Sequence, residues 1–375
     1  MELGLLPALG DGIASLRRAG QASRLVDGYL VPYARAFDRV WYASYLPEAL
    51  ADYTDDARLL AAVRLLAPRR RGARLARAVS IPFAHAGDLR RCAVFRVFQL
   101  TGVIPAILAR ARWGTPFVTS YGFWSARLSR PGAPRVAKRV LERIGLRLAA
   151  AVIVPTEELR AHVATMTAPT RIHVIPNGVD LSRFKPRGRR EARGGEVVYV
   201  GRLSDEKNLS ALVRAAALLR PRLAARLVMV GDGPARESLR AEARAAGVRL
   251  EFPGVVDHAR VPEWLERANV FALPSFTEGH PKVLIEAMAA GLPCVASNCP
   301  GNHALIEHGV TGLLFEPADV SGIAACLERV LGDADLASSL GRRAREVAER
   351  DFDLSELVER EIALLLRVAR EGHRR

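Results

Sequence analysis

Cysteine is scarce: Cys92, Cys294, Cys299 and Cys326 are the only four in 375 residues, and no two are spaced as CxxC. That excludes a cysteine zinc site and a disulfide framework, and reads as core thiols in a reducing cytoplasm. Aromatics make up 6%, too few to build the stacking platforms that single-stranded nucleic acid prefers. No Walker A loop and no aromatic–basic RNA-binding pattern occurs. No apolar run reaches the roughly 18 residues of a membrane-spanning helix. The N-terminal MELGLLPALGDG lacks the basic segment of a signal peptide. Lysine is confined to Lys138, Lys185, Lys207 and Lys282.

What the chain has is arginine. The formal charge is +15 and the pI near 10.5, a balance that favours phosphorylated ligands, an acidic membrane surface or nucleic acid. Nucleic acid fits poorly for the reasons above, so the expectation is no nucleic acid and a peripheral contact with an anionic membrane face. Localisation is then cytoplasmic, at the inner face of a membrane. The length exceeds one ordinary core and points to two domains, and with 50% hydrophobic residues both can be filled.

Strand and helix patterns alternate along the chain. In the first half, helices are expected at 13–36, 58–77, 103–112 and 135–150, and strands at 38–44, 79–83, 94–98, 116–121, 151–155 and 171–176. Thr156 caps the following helix, with Glu157 and Glu158 in its first turn. The Pro-, Gly- and Arg-rich stretch 176–195 reads as a linker. The second half places strands at 196–201, 226–231, 249–252, 270–273, 292–297 and 312–315. Helices fill the gaps at 207–220, 235–246, 261–267, 281–290, 301–308 and 319–332, and a charged helical tail covers 336–371. Such alternation predicts α/β domains built on doubly wound parallel sheets.

Open α/β sheets bind ligands beyond the carboxyl ends of their strands, and three such turns in the second half carry polar residues. The first, GRLSDEKN, offers Arg202 and Lys207. The second is the tight turn Gly231-Asp232-Gly233-Pro234. The third is FTEGHPKVLIEAMAAGLPCVAS, residues 276–297, where a polar loop meets Pro281 and an almost wholly apolar helix. Its buried Glu286 needs a partner. Its start offers free amides and a positive dipole end to an anion, and Lys282 sits there against the dipole. With Glu286 roughly 8 Å along the axis, a diphosphate flanked by hydroxyl-rich groups would suit the layout. Packing alone, with one structural Glu and exposed cations, would also account for it.

These segments resemble the family 4 (group 1) glycosyltransferases, retaining nucleotide-sugar-dependent enzymes of the GT-B fold. The matching residues are VIPNGVD with Phe184-Lys185-Pro186, VGRLSDEKN, VMVGDGPAR, Phe252-Pro253-Gly254, LPSFTEGHPKVLIEAMAAGLPCVAS and Val310–Phe315, across 174–316. The first half matches more thinly, in GQASRLVDGYLVPYARAFDRVWYASY and FVTSYGFWS. The resemblance implies two Rossmann-like domains facing across a cleft: an acceptor domain, 1–178, completed by a C-terminal helix at about 350–375, and a nucleotide-sugar domain, 179–349. It implies that Arg202 and Lys207 hold the diphosphate, Glu286 the ribose and Glu278 the donor sugar. Gly201, Asn208, Gly231 and Gly233 would line the donor site. The backbone of Gly279, His280, Pro281, Lys282 and Val283 would meet sugar and phosphate, and Gly254 and Val255 the nucleobase. Gly10, Gly12, Tyr121, Gly122 and Trp124 would face the acceptor.

The implied reaction transfers a sugar from a UDP- or GDP-sugar co-substrate to a carbohydrate or lipid-linked hydroxyl, with no metal and no other cofactor required. Two departures stand out. Tyr121 takes the position of a family His, and Ala304 that of a frequent Glu; His303 beside it reads as a surface side chain. The acidic strings 333–335 and 351–353 lie at helix ends and read as caps rather than metal ligands. Two other readings remain at this stage. A non-catalytic nucleotide-sugar or glycan-binding protein of the same fold is one. An NAD(P)-dependent oxidoreductase built on GDGPAR with Glu251 is the other, although Arg236 occupies the third-glycine position.

Overall fold

The computed structural model describes residues 1–68, 72–122, 133–186, 195–219, 223 and 225–372. It divides into two compact units, one of Met1–Pro176 with Ser355–Arg375 and one of Asn177–Leu354. Each is built on a parallel sheet.

The first unit carries seven strands: β1 (Glu2–Leu6), β2 (Arg39–Ala43), β3 (Val63–Leu66), β4 (Cys92–Val97), β5 (Phe117–Ser120), β6 (Ala151–Val154) and β7 (Ile172–Val174). Their order is β3-β2-β1-β4-β5-β6-β7. The internal strand β1, paired with β2 and β4, has no counterpart among the sequence expectations. After Glu2 its LGLL is apolar without alternation, as a strand buried on both faces must be. Gly4 is required there, since a Cβ would stand 2.3 Å from Phe95 Cδ1.

Other expectations are corrected nearby. The helix at 13–36 is broken once: Gly20 (φ 68°) follows the helix Ile13–Arg18, and an unbroken helical run, with a π-helical stretch at Val26–Leu30, then extends from Ala22 to Ala36. The expected helix 58–77 is instead a short helix Ala57–Ala62, the edge strand β3, and the start of a helix Arg74–Ala84. That last helix also replaces the strand expected at 79–83. The β-branched residues there favour a strand locally, but Ala78, Ile81 and Pro82 bury one helical face. The Thr156 cap forms, its Oγ1 accepting from the Leu159 amide at 3.2 Å.

The charged tail is two helices, Ala334–Asp351 and Leu354–Gly372, and the second belongs to the first unit. Glu361 on this last helix joins a fully buried cluster on the sheet. Arg96 of β4 donates Nε to Glu361 Oε1 at 2.5 Å and Nη2 to Oε2 at 3.0 Å. Tyr33 donates its hydroxyl to the same carboxylate. Arg96 also donates to Ser120 Oγ and to the Val97 carbonyl, at 2.9 and 2.7 Å. A bidentate guanidinium–carboxylate pair with its remaining donors satisfied is the arrangement in which a buried ion pair holds an element in one register.

The second unit has six strands: β8 (Glu196–Val200), β9 (Arg226–Val230), β10 (Arg249–Gly254), β11 (Val270–Leu273), β12 (Cys294–Ser297) and β13 (Leu313–Phe315). The order β10-β9-β8-β11-β12-β13 reverses direction between β8 and β11, so the crevice of this sheet opens beyond the carboxyl ends of those two strands. The helix expected at 301–308 is only Pro300–His303. Pro281 is a cap rather than the first helical residue: its ψ of 112° is extended, and the helix runs Lys282–Ala289. Asp333 caps Ala334–Asp351, accepting from the amides of Asp335 and Leu336 at 3.1 and 2.9 Å.

Candidate functional site

Two turns flank the reversal point of the second sheet, 201–208 after β8 and 274–281 after β11, and the protein pins them together. The Phe276 amide donates to the Glu206 carbonyl at 2.9 Å. Lys207 Nζ donates to Glu278 Oε1 at 2.7 Å, and Ser275 Oγ donates to the same oxygen at 2.6 Å. Both partners are largely enclosed, with side chains 21% and 11% exposed. An ammonium has three donors, and Glu278 engages one. Arg202, in the same turn, is exposed and its side chain makes no ion pair among the described residues.

The glycines around these turns have a packing cause. A Cβ on Gly231 (φ 135°) would lie 1.9 Å from the Gly201 carbonyl oxygen, and one on Gly233 would lie 2.2 Å from that of Leu203. The backbones interlock: the Leu203 amide donates to Asp232 O at 3.0 Å and the Gly231 amide to Gly254 O at 2.8 Å. The turns after β8, β9 and β10 thus form one rigid rim, and at its β10 end Val255 is exposed. Asn208 holds a left-handed conformation (φ 54°) and donates Nδ2 to the Pro317 carbonyl at 2.7 Å. Its side chain is engaged within the protein.

In the third turn, Leu284 and Ile285 donate to the Pro281 carbonyl. The amides of Lys282 and Val283 therefore precede the helix's own ladder and stand at its positive end. Gly301 lets the chain at 300–303 press against this turn, because a Cβ there would be 2.6 Å from the Glu278 carbonyl oxygen. His280 is buried and packs edge-on against Phe352, ring centroids 5.6 Å apart, while its carbonyl accepts from Asn177 Nδ2 at 2.7 Å. Burial, reinforced by Lys282, pushes the His280 ring down to about 4, so it is neutral at pH 7.

Glu286 has the partner that its burial demands. Its Oε1 lies 2.9 Å from Nε2 of His258, and both side chains are buried. The Phe184 ring packs on His258 with centroids 5.5 Å apart. Arg345 in turn donates to the carbonyls of Phe184 and Ala289, tying the end of the Glu286 helix to the same support. His258, Phe184 and Arg345 were absent from the sequence-derived site. The one hint was Glu286 itself, a carboxylate on a helix apolar all round.

The first unit departs more from expectation. The turn at Gly10–Gly12 lies against the protein's own carboxylate: Glu48 accepts from the amides of Ile13 and Ala14 at 2.9 and 2.6 Å. Ser44 and Tyr53 donate their hydroxyls to it as well. A Cβ on Gly12 would strike Glu48 and Ser44 at 2.4 Å, and one on Gly10 (φ 89°) would strike Arg74. Tyr121 is 3% exposed, with its ring 5.8 Å from that of His162. It is a core side chain, so the expectation that it faces an acceptor is corrected. Gly122 is exposed, and among the described residues nothing lies within 4 Å of where its Cβ would stand. Trp124 lies outside the described residues.

The model of the family "Glycosyl transferases group 1" matches residues 183–347, and that of "Glycosyltransferase Family 4" matches 34–183. The chain belongs to the group 1 (family 4) glycosyltransferases. Among glycosyltransferases with curated descriptions, it is 37% identical over 186 residues to a glycogen synthase of Mycobacterium tuberculosis, covering 48% of this chain and 45% of that one. It is 34% identical over 230 residues to a GDP-mannose-dependent phosphatidylinositol monomannoside mannosyltransferase of the same species, covering 56% and 60%. With a D-inositol 3-phosphate glycosyltransferase of Thermobispora bispora the identity is 31%, covering 65% and 63%. The matches thus span less than two thirds of each relative's length.

In fold, a sucrose-phosphate synthase from Thermosynechococcus elongatus superposes with a TM-score of 0.83 at 20% identity, over 98% of this chain and 99% of that one. Anabaena HepE, solved with UDP and glucose, gives 0.78 at 19%, over 97% and 99%. The fold is that of the GT-B glycosyltransferases.

Proposed function

We propose that this protein is a retaining glycosyltransferase that moves a sugar from a nucleoside-diphosphate sugar to a hydroxyl of a carbohydrate or lipid-linked acceptor. The observation that carries the reading is the Lys207–Glu278 pair at the reversal point of the second sheet, beside the helix start at Lys282–Ala289. A cation, a carboxylate and a positive helix end then converge where α/β sheets take ligands. HepE, solved with UDP-glucose, and the GDP-mannose-dependent relative support a UDP- or GDP-sugar donor.

On this reading Arg202, Lys207 and the amides of the helix start bind the diphosphate. As the anomeric C–O bond breaks, negative charge grows on the leaving nucleoside diphosphate, and these fixed donors stabilise it. Glu286, oriented by His258, accepts from the ribose hydroxyls, and Glu278 from hydroxyls of the sugar. The acceptor oxygen bonds to the anomeric carbon on the face the diphosphate leaves, and a departing phosphate oxygen takes its proton. Glu278 serves as a hydroxyl acceptor rather than a nucleophile, because Lys207 and Ser275 both draw on its Oε1. The reading needs no metal ion and no further cofactor.

Lys207→Ala and Glu286→Ala should abolish donor hydrolysis and transfer with circular dichroism unchanged. Normal turnover by either variant would overturn the site assignment, and a covalent sugar–Glu278 adduct would overturn the front-face route.

A further inference from the structure

Glu286 is buried in a helix whose other residues after Lys282 are all apolar. His258, also buried, meets it from the turn His258–Arg260, which follows Gly254 at the end of β10. The two side chains lie 2.9 Å apart, Nε2 to Oε1. A lone pair on that nitrogen would repel the carboxylate, so Nε2 carries a proton and donates. Filling the same space with two apolar side chains often costs nothing or stabilises a fold. Packing alone therefore gives no reason for the pair, whereas a carboxylate that must hold one orientation for a ligand does.

The imidazole is itself held in place. Asp257 caps its turn: Oδ1 accepts from the Ala259 amide and the main-chain carbonyl from the Arg260 amide, both at 2.9 Å. The fully buried Phe184 ring packs on the imidazole with centroids 5.5 Å apart, and the Phe184 carbonyl accepts from Arg345. A binding group keeps its geometry when the side chains that support it are themselves locked. A carboxylate has about four lone-pair sites. His258 takes one on Oε1, which sets the plane of the carboxylate for the rest.

We propose that His258 is the positioning residue that makes this site select a ribonucleoside diphosphate over its deoxyribonucleoside counterpart. The inference rests on the donor reading above, in which Glu286 meets the ribose. Vicinal 2′- and 3′-hydroxyls can both donate to one carboxylate whose orientation is fixed. A deoxyribose offers one hydroxyl fewer, a loss that sites built to bond a hydroxyl reject strongly. The donor class is then a sugar carried on a ribonucleoside diphosphate, with deoxythymidine diphosphate sugars poorly used.

Calorimetric titration of the full chain tests it, using UDP, GDP and ADP, each with its 2′-deoxy and 3′-deoxy forms. For whichever nucleotide binds, the wild type should prefer the ribo form by roughly 10- to 100-fold, the worth of one hydrogen bond to a charged group. His258→Leu should shrink that preference by about fivefold or more. His258→Asn, whose amide falls short of Oε1, should do the same and provides a second variant should the first fold poorly. His258→Gln, whose amide reaches, should keep most of the preference. A purely structural His258 would instead weaken ribo and deoxy forms alike, so an unchanged ratio in the Leu and Asn variants would overturn the proposal. Wild-type protein that binds a nucleotide and its deoxy forms equally would overturn it too, and would leave the donor reading standing. Folded wild-type protein that binds none of the three would overturn the donor reading and this inference together.

Discussion

Mild acid should loosen the 278–281 turn through one side chain. His280 is buried among Phe352, Lys282 and the chain at Asn177, and burial, with Lys282 next, lowers its pKa from 6.5 to about 4. The folded protein therefore binds the proton less readily than the unfolded chain. Stability from this neutral ring is full above pH 6.5 and is lost as pH falls through 4. Over that whole window a shift of this size is worth about 3 kcal/mol, and about 2 kcal/mol of it is gone by pH 5. Hydrogen exchange of peptides spanning β11 to β12 at pH 7.5 and pH 5 reads the effect, with His280→Leu as the control that cannot titrate. After correction for intrinsic exchange, wild-type protection should fall roughly 30-fold more than that of the variant. Equal losses in the two proteins would refute the reasoning, because the sensitivity would then come from other groups.

Glu361→Ala leaves Arg96 buried without its carboxylate and should destabilise the first unit by about 3–5 kcal/mol; Arg96→Met with Glu361→Leu should recover most of it, both read by urea denaturation. Gly231→Ala sets a Cβ 1.9 Å from the Gly201 carbonyl oxygen at a φ of 135°, and should cost the second unit at least ~2 kcal/mol in the same assay. Burial comes first among the causes that push Tyr29 up to about 12 and also raise Tyr33, Tyr42 and Tyr45. The first unit should therefore keep its full stability below pH 10 and lose it as pH climbs through 12 and beyond, measured by circular dichroism against phenolate absorbance.

The second unit was legible in the sequence because its strands are short apolar runs punctuated by Gly and Pro, and each expected strand there is found within two residues of its place. The first unit was less so, for physical reasons. β1 is apolar from Leu3 to Leu6 and therefore lacks alternation, while the helix at 74–84 carries the strand-favouring Val79 and Ile81 and is fixed by what packs beneath it. The site divides the same way. Lys207, Glu278 and Glu286 announce themselves as charges in an apolar or glycine-rich setting. His258, Glu48 and the Arg96–Glu361 pair join residues from 28 to 265 positions apart, and no local pattern marks such meetings. Gly231, Gly233 and Asn208 show the converse: the resemblance set them at the donor site, and each also has a packing role that the sequence alone does not display.

The central claim is that the turns pinned by Lys207 and Glu278 bind a nucleoside diphosphate and its sugar. Calorimetric titration of the wild type and of Lys207→Ala with UDP, GDP and ADP tests it directly. The account predicts that at least one of them binds the wild type and that the substitution weakens it tenfold or more, a loss of at least ~1.4 kcal/mol. Folded wild-type protein that binds none of the three, or a Lys207→Ala variant that binds as tightly as the wild type, would contradict it.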